Sequence, residues 1–273
     1  MEDLEIGLCW GTLQRASLTE LIEVAGRHGF PTLSVQPEAA VGALGELGEA
    51  ALRKRLKDAG VRIRVLDAIW DALPGQEPAD GSARRSNEED CYRAAAALEV
   101  PMINMTHYRG RPTPREALVE AIGGVCRRAA ARGFDIVLEF IPDTGLPSLT
   151  ETFAIIRDAG EKNCAINLDP WHLTRSGGTV EQVRSLPPGA IGAYQLCDRT
   201  PPAPGAVYVP MSGRDLPGEG QAPLCDLTRA IVANNSKITA ELEVFSEELK
   251  AMSVDAAAAR TAAAVKAWRA SCG

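Results

Sequence analysis

The stretch DIVLEFIPDTGLPSLTETFAIIRDAGEKNCAINLDPWH, residues 135–172, holds one copy of a pattern that runs along the whole chain. Residues 135–140 are a short apolar run, 148–159 have amphipathic helical spacing, and 165–168 are apolar again. Apolar runs of this length suit strands buried on both faces of a parallel sheet, with the amphipathic segment as the crossover helix. An acid marks the end of each run: Glu139 is the last residue but one of the first, and Asp169 directly follows the second.

The same alternation extends outward in both directions. Toward the N-terminus, strands are expected at residues 6–9, 32–35, 61–66 and 101–105. The helices between them are expected at 18–28, 45–59, 87–98 and 114–132. Ser17 stands where an N-cap belongs, and Gly60 where a helix stops. Toward the C-terminus follow a short helix at 180–185, a strand at 190–196, a helix reaching 233, a strand at 238–244 and an Ala-rich helix at 254–269. That makes eight strand–helix units in order. No Gly-rich dinucleotide fingerprint follows the first strand, so a closed barrel is favoured over a doubly wound sheet. The expected fold is a single (β/α)₈ TIM barrel, one domain over residues 1–273. Residues 73–82 read as a loop. Residues 200–223 are too long for a plain connection and are expected to be functional, as a lid.

Composition narrows the function classes. The chain has 273 residues, 45% apolar and 24% charged, with a net charge of −7. An acidic chain is a poor partner for nucleic acid, which is bound through basic faces. No apolar run reaches the ~18 residues of a membrane span. The seven cysteines are scattered, odd in number and never spaced as C-x-x-C. They read as reduced thiols and not as a disulfide framework or zinc ribbon. With acids where a signal peptide needs bases, the expected location is cytoplasmic.

In a TIM barrel, chemistry sits at the C-terminal ends of the strands. Glu139 ends strand five, Asp169 strand six, Gln195 lies near the end of strand seven and Glu243 near the end of strand eight. One polar residue at a strand end is commonly solvated or a helix cap. Four on successive strands, three of them carboxylates, call for a cation between them. The expected cofactor is one divalent metal ion per chain. Two Glu, one Asp and one amide suit Mn²⁺ or Mg²⁺ best, while Co²⁺ and Zn²⁺ can also fill such a set.

The segments LEFIPDTGLPS (138–148), NLDPWHLTRSGGT (167–179), YQLCD (194–198), GRDLPGEG (213–220) and ELEVFSEEL (241–249) resemble the xylose isomerase-like TIM barrels, which include sugar phosphate isomerases and epimerases. The resemblance is clearest over 135–249; the first half matches only in rhythm. It implies metal ligands at Glu139, Asp169, Gln195 and Glu243. Ketose 3-epimerases of the family have His where Gln195 stands, whereas hydroxypyruvate isomerases have Gln there and a Pro-Gly-x-Gly segment like that in GRDLPGEG. It further implies an isomerase or epimerase acting on a small hydroxy-carbonyl compound, a sugar or sugar derivative, by proton transfer through a metal-bound enediolate. Glu139 and Glu243 are the catalytic pair in that reading. The alternative is a metal-dependent lyase, a dehydratase or β-elimination enzyme on the same fold. His172 occupies the family's Asp-x-x-His position and Arg214 a family arginine position, both toward substrate oxygens.

The remaining candidates rest on location. His107 ends strand four, and Trp10 and Trp70 follow strands one and three as candidate walls of a substrate pocket, although core packing is the better account of either tryptophan from sequence. Arg109 and Arg111 could take a phosphate or be solvated. Cys197, beside Gln195, is expected to face away from it as buried packing. The endonuclease IV group shares this barrel, but its multi-zinc site needs more histidines than His28, His107 and His172. The expected partner is a small-molecule substrate, with no nucleic acid and no membrane; a homo-oligomer is compatible with the sequence.

Overall fold

The computed structural model describes residues 3–70, 72–76, 88–108, 112–201 and 213–273. Eight strands form a closed barrel in sequence order, every neighbouring pair parallel, with β1 closing on β8. They are β1 (Ile6–Cys9), β2 (Thr32–Val35), β3 (Arg62–Ile69), β4 (Met102–Thr106), β5 (Asp135–Glu139), β6 (Cys164–Leu168), β7 (Ile191–Leu196) and β8 (Ala240–Leu242). The helices are α1 (Leu18–His28), α2 (Pro37–Leu47), α3 (Glu49–Ala59), α4 (Glu88–Leu98), α5 (Arg115–Ala130), α6 (Leu149–Ala159), α7 (Pro170–Arg175), α8 (Val180–Arg184), α9 (Leu224–Asn234), α10 (Glu247–Ala251) and α11 (Val254–Ser271). This is the (β/α)₈ barrel that the alternation predicts.

Local chemistry sets the helix ends. Ser17 caps α1 through a reciprocal capping box with Glu20. The single helix expected over 45–59 is two helices. Gly48, at φ 78°, ends α2, which begins at Pro37, and α3 starts at Glu49. Strand β3 continues to Ile69, three residues beyond the end expected at 66. That extension carries Asp67 into the barrel.

Two cores result. The larger packs the strands against the helices. The smaller, Val65, Met102, Val137 and Ala193 with Ala165 against them, plugs the barrel interior. Side chains two apart on a strand share a face. The next interior residues along β3, β4, β5, β6 and β7 are therefore Asp67, Asn104, Glu139, Asn167 and Gln195, all buried. A polar layer thus lies directly above an apolar plug.

Two cysteines depart from the free-thiol expectation. Cys225 on α9 and Cys272, just past α11, are joined by a disulfide, with Cα atoms 5.5 Å apart. They are 47 residues apart in sequence, and only the packing of the helices brings them together, so their spacing carries no signal. The other five cysteines are free. Among the described residues, no helix is long and apolar enough to cross a membrane.

Candidate active site

The strand ends bring the four candidate ligands to the mouth of the barrel. Glu139 is the last residue of β5. Asp169 follows β6 and caps α7, its Oδ1 accepting the Trp171 N–H at 2.6 Å. Gln195 lies within β7. Glu243 follows β8, its N–H donating to the Leu196 carbonyl. All four are buried, Asp169 completely.

Their side chains fall into two groups joined by an arginine. Glu139, Asp169 and His172 bring one ligand atom each within 4.8 Å of one another, as do Cys9, Asp67 and Glu243. His172 Nε2 lies 3.1 Å from Glu139 and 3.7 Å from Asp169. The Arg214 Nη2 donates to Asp169 at 2.6 Å and to Glu243 at 3.1 Å. Its guanidinium stacks over the rings of Trp171 and Phe245. Arg214 is therefore a buried charge inside the site, not a surface ion pair.

The segment carrying Arg214 is tied down by Asp198, whose carboxylate accepts the N–H groups of Arg199, Gly218 and Ala222 at 2.8 to 3.0 Å. A backbone bridge between Asp198 and Asp215 adds to this.

Burial and neighbouring charge pull the acids apart. Burial pushes Asp67 up to about 6, with Glu139 adding to the rise. Burial also raises Glu243, Arg214 opposing and Glu139 and Asp67 reinforcing. For Asp169 burial acts in the same direction, but Arg214 and His172 together outweigh it and hold the carboxyl below its ordinary value. Burial and the Glu243 charge raise the Cys9 thiol far above its ordinary value, so it is a donor here and not a thiolate.

The other expected residues divide. Trp10 and Trp70 line the pocket above the acids, with Tyr108, Trp171 and Phe245. Trp10 packs edge-on against Phe245, and Trp70 against Tyr108. His107 is not among the lining residues. Its Nδ1 accepts the Gly145 N–H and its Nε2 donates to the Pro74 carbonyl, so it clamps two loops together. Cys197 is buried as expected but does not face away from Gln195. Two residues along a strand share a face, and its Sγ donates to Asp169 at 3.1 Å. Arg109, Arg111 and residues 202–212 of the expected lid lie outside the described residues.

Sequence reasoning passed over Cys9, Asp67, Asn104 and Asp198. For the middle two, a signal was present. In RIRVLDAI and MINMT, the Asp and Asn stand two residues after an apolar partner, the same offset that separates Val137 from Glu139.

The donors fit a divalent ion. The Oε1 of Gln195 is a buried acceptor with no hydrogen-bond partner. Among the described residues, the carboxyls of Asp67, Glu139, Asp169 and Glu243 are met there by the cations Arg214 and, when protonated, His172. An unpaired buried amide oxygen, on a side chain whose nitrogen meets Asp67 and Glu243, together with an excess of buried carboxylates suits a hard cation.

No curated protein matches this chain's sequence. Several solved structures share the fold at low identity. An IolI protein with a bound zinc atom superposes with a TM-score of 0.82 at 15% identity, over 99% of each chain. A probable 3-DHS dehydratase, AsbF, involved in petrobactin synthesis from Bacillus anthracis, gives 0.75 at 18% identity, over 96% of this chain and 99% of that one. A D-psicose 3-epimerase crystallised in the presence of D-fructose gives 0.72 at 17%, over 97% and 98%. A family model described as xylose isomerase-like TIM barrel matches residues 21–271. That match runs from within α1 to the last residue of α11, and so the barrel as a whole places this chain in the xylose isomerase-like TIM barrel family.

Proposed function

We propose that the protein is a divalent-metal-dependent isomerase or epimerase of a small hydroxy-carbonyl compound, a sugar or sugar derivative, acting as one domain over residues 1–273. The observation that carries this reading is the cluster of buried carboxylates at the barrel mouth, Glu139 and Asp169 grouped with His172 and Glu243 linked to Asp169 through Arg214, with Gln195 buried against Glu243 and its Oε1 unpartnered. Those four residues would hold the ion, Mn²⁺ or Mg²⁺ suiting their oxygens best. When bound, such an ion acts as a Lewis acid that makes a C–H beside a carbonyl more acidic.

The chain's own residues do the rest. Glu139 on β5 and Glu243 after β8 stand on separate strands of the ring. One removes the α-proton, and the other returns a proton to the neighbouring carbon or to the opposite face. Burial raises Glu243 above the ordinary glutamate value, with Arg214 opposing the rise. His172 Nε2, beside Glu139, and the Arg214 guanidinium are donors for substrate oxygens that gain charge as the enediolate forms. The aromatic wall of Trp10, Trp70, Tyr108, Trp171 and Phe245 keeps water from that intermediate and takes the apolar face of a small substrate.

A lyase would use the same first step and then expel a β-hydroxyl. An epimerase and a probable dehydratase both stand among the structural neighbours. The product separates the two. The protein is incubated with Mn²⁺ in D₂O with a panel of keto sugars and hydroxy-ketones. Deuterium entering the α-carbon of a substrate whose formula is otherwise unchanged supports the isomerase reading, and Glu139→Gln and Glu243→Gln should each slow that exchange by roughly 10²–10⁴-fold. Loss of water from the substrate moves the assignment to a lyase. No exchange with any hydroxy-carbonyl compound, in protein that binds Mn²⁺, contradicts the proton-transfer mechanism.

A further inference from the structure

The polar layer contains one acid that the mechanism above does not use. Asp67, on β3, is buried at the pocket floor. Its Oδ1 accepts the Asn104 amide at 2.6 Å. Its Oδ2 accepts the Gln195 amide at 3.4 Å and the Ser34 hydroxyl at 3.3 Å, and the Cys9 thiol lies 3.6 Å away.

Both amide nitrogens are shared. The Asn104 Nδ2 that reaches Asp67 also donates to Glu139 Oε2 at 2.9 Å. The Gln195 Nε2 that reaches Asp67 also donates to Glu243 Oε1 at 3.1 Å. Two carboxamides thus run from one aspartate to the two glutamates of the proposed proton-transfer pair.

An amide nitrogen has two N–H groups, and here each is committed to a carboxylate. The amide oxygens, Oδ1 of Asn104 and Oε1 of Gln195, are buried without partners. Turning either amide over would set its oxygen against two carboxylates and orphan both N–H groups in the interior, which the low dielectric penalises heavily. An unpaired acceptor on Gln195 is therefore a consequence of the carboxylates that claim its nitrogen. Glu243 supplies one of them, and it is itself a proposed ligand. Asp67 supplies the other from outside the ligand set.

We propose that Asp67 is a positioning residue. It fixes the orientation of Gln195, so that the amide oxygen and not the nitrogen is offered to the metal, and through Asn104 it fixes Glu139. The inference rests on Gln195 being a metal ligand, as proposed above. The role is the one a carboxylate plays behind a ligating histidine, holding the donor that faces away from the ion.

The test is a double-mutant cycle read by Mn²⁺ affinity, with free Mn²⁺ measured by EPR for the wild type, Asp67→Asn, Gln195→Ala and the pair. Asp67→Asn is expected to weaken Mn²⁺ about 10- to 100-fold in the wild-type background. In the Gln195→Ala background it should weaken it far less, the two effects being non-additive by fivefold or more. Asp67→Glu keeps the charge but moves the carboxylate by one methylene. It should also weaken Mn²⁺ about tenfold and alter the line shape of the bound ion at saturation. Additive effects, or an Asp67→Glu variant with wild-type affinity, would mean that Asp67 contributes only its charge or is itself a ligand, and would overturn the inference while leaving the metal site standing. No Mn²⁺ bound to the wild type overturns both readings.

Discussion

Arg214 and Asp169 form an ion pair with 2.6 Å between Nη2 and Oδ2, and both side chains are almost wholly shielded from solvent. The same nitrogen reaches Glu243. Removing one partner of a buried pair leaves the other charge uncompensated, at a cost of about 3–5 kcal/mol. Arg214→Gln should therefore lower the melting temperature in chelator, and added Mn²⁺ should raise it by more than in the wild type, because the ion compensates the carboxylates left without their cation. Thermal melts with and without Mn²⁺ check this. Equal Mn²⁺ shifts in the two proteins would place the arginine outside the electrostatics of the site.

Gln195 offers the proposed ion an amide oxygen where an imidazole would offer nitrogen. Nitrogen ligands favour Zn²⁺ and Co²⁺, and oxygen ligands favour Mg²⁺ and Mn²⁺. Gln195→His should thus tighten Zn²⁺ relative to Mn²⁺ by roughly tenfold or more. Competition between the two ions, followed by metal analysis, measures the ratio. An unchanged ratio would remove Gln195 from the ligand set.

Asp198 holds the segment carrying Arg214 through three backbone N–H groups. Asp198→Ala leaves those donors without their acceptor. The expected result is a loss of stability of about 1–3 kcal/mol and a fall in kcat/KM exceeding tenfold, since a misplaced guanidinium no longer meets the substrate. Denaturant melts and steady-state kinetics report the two effects separately. Full activity in a destabilised variant would show that Asp198 is structural alone.

Far from the site, Glu88 on α4 accepts two hydrogen bonds from Arg128 on α5, at 2.7 and 2.8 Å, and one from Tyr92. Burial would raise its carboxyl, but Arg128 and Tyr92 outweigh burial and lower it. The unfolded chain then binds a proton at higher pH than the folded one. The stabilisation is complete above the ordinary glutamate value and is lost as pH falls through the lower folded value. Because the pair is partly solvated, its worth is about 0.5–1 kcal/mol. Glu88→Gln should cost that much at pH 7 and nothing once both states are protonated. A mutational effect that persists in acid would mean that packing, and not ionisation, is at work.

The order of the strands was legible because buried parallel strands are apolar throughout and their crossovers are amphipathic. The four proposed ligands were legible because each polar side chain interrupts such a run near its end. Asp67 was hidden by its place in β3. Ended at Leu66, the expected strand stops one residue short of it, and the pairing of Ile69 with Met105 of β4 shows the strand carrying on. Asn104 was hidden between methionines in MINMT, where one amide reads as an accident of a core strand. The Cys225–Cys272 link depends on how α9 and α11 pack, a long-range relation that spacing does not encode. His107 stands at a strand end like the others, yet its ring turns toward Pro74 and Gly145, because the loops above β4 need a clamp.

The proposed function requires a divalent ion held by Glu139, Asp169, Gln195 and Glu243. The most direct test is the amount of metal retained after dialysis against Mn²⁺ and then metal-free buffer, for the wild type and for the Glu139→Gln/Glu243→Gln pair. The prediction is one Mn²⁺ per chain in the wild type and almost none in the pair, whose circular dichroism should stay that of a folded barrel. A wild type that retains no ion, or a folded double variant that retains as much as the wild type, contradicts the account.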